Sequence, residues 1–314
     1  MFSTPILFLV FNRLNTTKQV FEQIRHIKPT RLYIAADGPR EIVPEDFAKC
    51  ESIKQFLNSA IDWNCEIKTL YRDENLGCGI AVSQAISWFF QHEEMGIILE
   101  DDCLPESSFF RFCEDLLTKY RYNEEVMHIS GTCHFQENLL KSNDSFYFSN
   151  YMLCWGWASW RRAWNKNDTF LSNTREIKQG LKNSKISTKE KKYWLLELLH
   201  FQKIVLSKNL HTWDTQWSLA ILSNFGKCIV PYVNLVKNIG IGHDATNTFA
   251  FEVDLQNYLN EMSMPLKHPH NMDINSTNDD YIYRHLYKKW KRKTFFEKLY
   301  DQIIYYFLKL KILF

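Results

Sequence analysis

Short apolar runs alternate with stretches of helical periodicity along the first hundred residues. Residues 5–11 (PILFLVF) are apolar throughout, as in a strand buried on both faces, and end at Asn12-Arg13. Asn15 or Thr16 is placed to cap a helix whose Val20, Phe21, Ile24 and Ile27 share one face. A second strand over residues 32–36 stops at Asp37-Gly38-Pro39, and Phe47, Cys50, Ile53 and Leu57 mark a second helix. A third strand, Glu66–Tyr71, leads through Asn75-Leu76-Gly77-Cys78-Gly79 into a helix with Ala81, Val82, Ala85, Ile86 and Phe89 inward. Gly96-Ile97-Ile98-Leu99 then begins a fourth buried strand. This alternation predicts an α/β fold with a Rossmann-like, mostly parallel central sheet flanked by helices.

The second half is less regular. Val126–Ser130 has the pattern of another strand, and residues 151–164 are crowded with Trp155, Trp157, Trp160 and Trp164. Residues 178–208 are polar and helical, with Trp194, Leu195, Leu198 and Leu199 inward, and residues 229–236 resemble strands flanking Pro231. Residues 238–248 form a Gly-, Asn- and Thr-rich loop, and residues 265–280 carry the Pro, Asn, Asp and Ser of a linker.

At 314 residues with 45% hydrophobic and 24% charged positions, the chain is globular and has ample core. The net charge of +2 is uneven: residues 284–314 hold nine Lys and Arg against two acids, which leaves the body mildly acidic. Positive charge gathered in one terminal block excludes a nucleic-acid-binding composition. The tail also carries Trp290, Phe295, Phe296, Leu299, Ile303, Ile304, Phe307 and Leu310, so a helix there has an apolar face and a cationic one. Such a helix suits an anionic membrane surface, the alternative being a C-terminal helix docked on the domain with solvated lysines. Eight cysteines without a CxxC pair or zinc spacing, and no signal-like or membrane-spanning stretch, predict reduced thiols in a cytoplasmic protein. The tail would place it peripherally on the inner face of the membrane.

The fourth strand ends in Glu100-Asp101-Asp102, with Pro105 close behind. Three carboxylates at the end of a buried strand repel one another and lose hydration. Ligands of open α/β sheets gather at those strand ends, and a hard divalent cation on a phosphorylated substrate would balance the charge. An acidic turn capping the next helix is the plainer alternative. Asp37 could accept hydrogen bonds from a uracil or ribose, or simply form an Asp-Gly turn. Arg13 could pair with a diphosphate, and Asn75 and Gly77 could bring backbone N–H groups near phosphate at a helix start. Trp213-Asp214 sets a carboxylate between indoles, fit for a general base or for a helix N-cap with two core tryptophans. His243, Asp244 and Asn247 lie in a loop able to cover a bound nucleotide.

In this order the elements resemble the GT-A fold nucleotide-sugar glycosyltransferases, most closely the N-acetylglucosaminyltransferase I and protein O-mannose N-acetylglucosaminyltransferase families and their bacterial relatives. The likeness spans about residues 5–250. It implies that Arg13 meets the nucleotide, Asp37 binds uracil, Glu100 and Asp101 face sugar and ribose, and Asp102 contacts Mn²⁺ or Mg²⁺. Cys154-Trp155-Gly156-Trp157 resembles the loop lining the donor sugar, and Asp214 the base of an inverting transfer. Asn12 departs from the acidic neighbour of the family arginine, and His243, a candidate second metal contact, stands four residues before the position where a histidine is expected. The implied domains are a catalytic unit, 1–265, with a nucleotide half (1–130) and an acceptor half (131–265), followed by linker and basic helices at 266–314. The implied partners are a UDP-sugar donor and a glycan or lipid-linked glycan acceptor. A sugar nucleotidyltransferase, against which the missing N-terminal Gly-rich loop counts, and a non-catalytic glycan- or membrane-binding protein are the alternatives.

Overall fold

A computed structural model describes residues 2–133, 142–208, 210–240 and 258–287. The loop bearing His243 and most of the basic tail lie outside these residues. The first half is the predicted alternation: β1 Ile6–Val10, α1 Leu14–Ile27, β2 Arg31–Ala36, α2 Glu45–Ala60, β3 Glu66–Tyr71, α3 Gly77–His92 and β4 Met95–Glu100. A three-residue strand, β5 Cys103–Pro105, precedes α4 Ser107–Lys119 and β6 Val126–Ser130. The second half adds β7 Phe146–Ser149, β8 Trp157–Trp160, α5 Arg161–Trp164, α6 Thr174–Asn183, α7 Thr188–Leu206, α8 Asp214–Ser223, β9 Lys227–Pro231, β10 Val236–Asn238 and α9 Ser276–Ile282, followed by a π-helical turn, Tyr283–Tyr287.

Eight strands form one sheet in the order β3-β2-β1-β4-β8-β6-β9-β7. The first four are parallel, β8 and β7 run against their neighbours, and β6 pairs parallel with β9. The expected mixed α/β architecture with a mostly parallel sheet is therefore present. Its apolar strands are buried because helices cover both faces. Ile6, Phe8 and Val10 meet α1, α2 and α4 on one side, while Leu7 and Leu9 meet α3, α5 and α8 on the other. A further cluster joins α6, α7 and α8 to Ile282 of α9.

Four local expectations are corrected. Helix α1 starts two residues earlier than a cap at Asn15 would place it and three earlier than one at Thr16: Arg13 is the cap, and the Thr16 and Thr17 hydroxyls donate to its carbonyl. In α2, Phe47 is 71% exposed while Asp46 is fully buried, because Asp46 is held by Arg40 and by the Asn12 amide. The helix expected over residues 178–208 is two helices, since Ser187 and Glu190 form a reciprocal capping box that starts α7 afresh. The stretch read as a linker, residues 265–280, runs into α9, docked on the edge of the sheet. There Asp279 accepts from the Ser149 hydroxyl and from the backbone and side-chain N–H groups of Asn150.

Candidate functional site

The chain fills β1, β2 and β3 toward one edge and then returns to place β4 on the other side of β1. This reversal leaves a crevice at the carboxyl ends of β1 and β4, where loops diverge to opposite faces. A cleft of about 700 Å³ lies there. Its wall includes Arg13 after β1, Asp37 after β2, Asn75 before α3 and Gly77 at its start, Glu100 at the end of β4, and Asp101 and Asp102 just after it. Because β8 runs antiparallel to β4, with Ile98 opposite Trp157, the segment entering β8 arrives at the same end and adds Trp155. Asp214, at the first turn of α8, completes the set.

Arg13 organises the acidic triplet. Its Nη2 lies 2.9 Å from Asp101 Oδ1 and 3.0 Å from Asp102 Oδ2, while the Phe11 N–H donates to Asp101 Oδ2. Burial opposes the Arg13 charge, but Asp101 and Asp102 outweigh it and hold its pKa above the usual value. Burial raises the Glu100 carboxyl, and the Asp102 and Asp101 charges add to the rise. Asp101 is also raised, burial outweighing the opposing pull of Arg13. Asp101 is only 3% exposed, with both oxygens bonded, so it braces Arg13 more than it faces a ligand. Glu100 and Asp102 line the cleft on either side of it.

The charge that the three carboxylates were expected to need from a metal is thus partly supplied by a guanidinium of the chain itself. No group of three or more His, Cys, Asp or Glu side chains able to hold a metal occurs among the described residues. Mg²⁺ and its analogues often take only one or two carboxylates and draw their other ligands from phosphate and water. Asp102 in the cleft wall fits a cation of that kind, arriving with a diphosphate, and does not fit a preformed cage.

Asp37 is placed differently from the expectation. Its Oδ1 accepts the N–H groups of Gly38 and Leu76, and its Oδ2 accepts Gly77 N–H and the Asn75 amide at 3.1 Å. Asn75 donates again to the Gly38 carbonyl. The N-terminal N–H groups of α3, expected near phosphate, are therefore taken by Asp37, which clasps the loop after β2 to the loop after β3. Gly38 makes this possible: a Cβ there would lie 2.4 Å from the backbone of Glu74. A nucleobase contact to Asp37 would have to share or displace one of these donors.

The tryptophan motif divides in the same way. Trp155 lines the cleft, whereas Gly156 turns at φ +59° with its carbonyl accepting Gly131 N–H, and Trp157 is fully buried. Trp157 is the middle ring of a stack, 5.1 Å from His128 and 5.4 Å from Trp213. The Trp217 indole donates to His128 Nδ1, which assigns the proton to Nε2, facing the Leu153 carbonyl at 3.2 Å. Burial pushes the His128 pKa down to about 3, so the ring stays neutral. Trp213 carries Asp214 directly after it, and Asp214 accepts hydrogen bonds from the Thr212 hydroxyl and the Thr215 N–H. Trp213 and Trp217 are core tryptophans, as one reading expected, but the cap of α8 is Trp213, and Asp214 is its first helical residue, on the cleft wall.

Sequence reasoning missed the far wall. Tyr193, Trp194, Glu197 and Phe201 of α7 line the cleft, and Leu286 and Tyr287 reach it from the segment after α9. Glu197 is 5% exposed among apolar neighbours at helical spacing. That lone acid within an inward stripe was the available signal. His243 lies outside the described residues.

No protein-family model matches the chain, and no curated protein matches it. Similar solved structures include the galactosyltransferase LgtC in complex with donor and acceptor sugar analogs, at 11% identity over 72% of each chain with a TM-score of 0.37. UDP-glucose pyrophosphorylase complexed with UDP-glucose is similar at 10% identity over 73% of this chain and 90% of that one, with a TM-score of 0.35. HddC from Yersinia pseudotuberculosis follows at 11% identity, 51% and 77% coverage and a TM-score of 0.32. Likenesses this distant say nothing about activity, which has to be read from the cleft.

Proposed function

We propose that this chain is a GT-A type glycosyltransferase that moves a sugar from a UDP-sugar to a hydroxyl of a glycan or lipid-linked glycan, with inversion. The observation that carries this reading is convergence: Arg13, Glu100, Asp102, Trp155 and Asp214, spread over two hundred residues, meet on one cleft at the point where the strand order reverses. In this reading Arg13 turns from the acid triplet toward the diphosphate, and Trp155 offers a flat face to the donor sugar. Asp214 takes the proton of the acceptor hydroxyl as its oxygen bonds to the anomeric carbon and the carbon–phosphate-oxygen bond breaks, releasing UDP. Asp102 would hold Mn²⁺ or Mg²⁺, which when bound supplies positive charge to the departing diphosphate.

A thermal-shift screen of nucleoside diphosphates with and without Mn²⁺ tests the donor site. UDP at about a hundred times its Kd should add roughly 2.7 kcal/mol of stability. The rise should need metal and vanish in Asp102→Ala. Asp214→Asn should keep the UDP response and lose transfer. A response to a different nucleotide would change the donor, and silence from every nucleotide would sink the reading.

A further inference from the structure

We infer that the outer face of α7 is a docking surface for an anionic lipid bilayer. The inner side of this helix lines the cleft through Tyr193, Trp194, Glu197 and Phe201. At about 100° per residue, Lys189, Lys192, Leu196, Leu199, Lys203 and Leu206 fall together on one stripe of the opposite side. Leu206 is 83% exposed, and Leu196 and Leu199 are partly exposed and join no core cluster among the described residues. Leu199, which the sequence pattern set inward, is therefore on the outer side. Neither acid of α7 shares this stripe. Glu190 accepts from the Tyr151 hydroxyl and the Ser187 N–H, and Glu197 is 5% exposed on the cleft side.

Leucines interleaved with lysines along one stripe suit the boundary between acyl chains and headgroups. The leucines enter the apolar layer, while the lysine stems lie along it and carry their ammonium groups to the phosphates. Lys192 and Lys203 already have partners within the protein, so the charge open to lipid is that of Lys185, Lys189 and Lys208 near the two ends of the helix. These three are exposed and form no ion pair among the described residues. Glu125, whose charge Lys185 feels at longer range, is bonded to Lys227 at 2.7 Å. The occupant follows from charge. The Tyr283 hydroxyl donates to the Lys189 carbonyl and its ring meets Tyr193 at 5.9 Å, so the start of α7 lies beside the segment that leads to Lys288, Lys289, Lys291, Arg292 and Lys293. Like charge disfavours that tail as a cover for the α7 lysines, and a second copy would bring the same lysines face to face. An anionic bilayer complements both. Three open lysines are few, so this surface acts together with the tail. None of these groups takes part in the proposed transfer. Within the glycosyltransferase reading, docking here holds the cleft about 10 Å from the bilayer, the diameter of one helix, beside a lipid-linked acceptor.

Cosedimentation of the full chain with vesicles of equal parts phosphatidylcholine and phosphatidylglycerol, and with phosphatidylcholine alone, tests this without nucleotide. The wild type should bind the anionic vesicles and not the neutral ones. Combining Lys185→Glu, Lys189→Glu and Leu206→Glu should weaken that binding by about tenfold or more with the tail intact, and should leave the urea midpoint unchanged. If the triple variant is destabilised, Leu206→Glu alone, at a side chain already in solvent, should still weaken binding severalfold. Unweakened binding by the folded variant would make the tail the whole attachment and overturn the surface. So would no binding by the wild type, equal binding to both kinds of vesicle, or a wild-type dimer in sedimentation velocity that the triple variant dissolves. Failure of the wild type to respond to UDP would instead overturn the donor reading and leave this surface standing, since vesicle binding is measured without nucleotide.

Discussion

Arg13 is the residue on which the acidic end of β4 depends. Burial by itself disfavours ionised Asp101, and the guanidinium within 3.0 Å of both Asp101 and Asp102 is what lets the two carboxyl groups stand side by side. Breaking a buried pair from one side leaves uncompensated charge, so Arg13→Met should destabilise the protein by about 3 kcal/mol. Urea midpoints would show this, and adding Asp101→Asn to that variant should recover part of the loss. If Arg13→Met is as stable as wild type, the pair is not what holds the triplet. Asp37 makes a parallel case. Its donors are backbone N–H groups, so Asp37→Ala should cost about 2 kcal/mol in the absence of any nucleotide. A contact made only with ligand would leave the apo protein untouched. Sequence inspection found both side chains, but it could not say that Arg13 would meet the residues after β4 and Asp37 the loop after β3.

At the scale of elements, the contacts that decide the second half are close and specific. Helix α6 approaches α8 so nearly that a Cβ on Gly180 would sit 2.1 Å from the Ser223 carbonyl oxygen. Overpacking of that kind costs up to about 3 kcal/mol, against about 1 kcal/mol that alanine gains over glycine in a helix. Gly180→Ala should therefore lose about 1–2 kcal/mol in chemical denaturation, and a stabilised variant would show that the helices part easily. Docking of α9 carries a pH signature. Burial raises the Asp279 carboxyl to about 6, with the Ser149 and Asn150 donors only partly opposing it. An acid whose folded pKa lies above its unfolded value binds more protons when folded, so its contribution to stability is present at low pH and is lost as pH rises from about 4 to about 6. Wild type should accordingly lose stability relative to Asp279→Asn across that window. A pH-independent difference between the two would refute the assignment.

For the whole molecule, the basic end of the chain adds a prediction that belongs to composition. Changing Lys288, Lys289, Lys291, Arg292 and Lys293 to Gln should abolish cosedimentation with anionic vesicles and leave UDP binding intact, whereas equal sedimentation of both proteins would remove the membrane from the proposal. The first hundred residues were legible in the sequence because β1, β2 and β4 are apolar runs, with the more polar β3 between recognisable helices, and each helix carries an apolar stripe, periods that follow from local geometry alone. The α/β class and the position of the acid triplet at a strand end came from the same local rules. Other features depended on which elements became neighbours. Residues 265–280 carry the composition of a linker, yet Asp279 finds Ser149 and Asn150 across 129–130 residues of chain and fixes α9 in place. Trp155 and Trp157 are two residues apart in one motif, and the turn at Gly156 sends the first to the cleft and the second into a stack with His128 and Trp213. Glu197 showed in the sequence only as an acid in an inward stripe, and it joins Asp214 on one cleft because α7 packs beside the crevice. Local periodicity determined the elements, since it depends on neighbours a few residues away. The partners of charged and aromatic side chains were decided by the tertiary structure, since desolvation and pairing depend on groups far away in sequence.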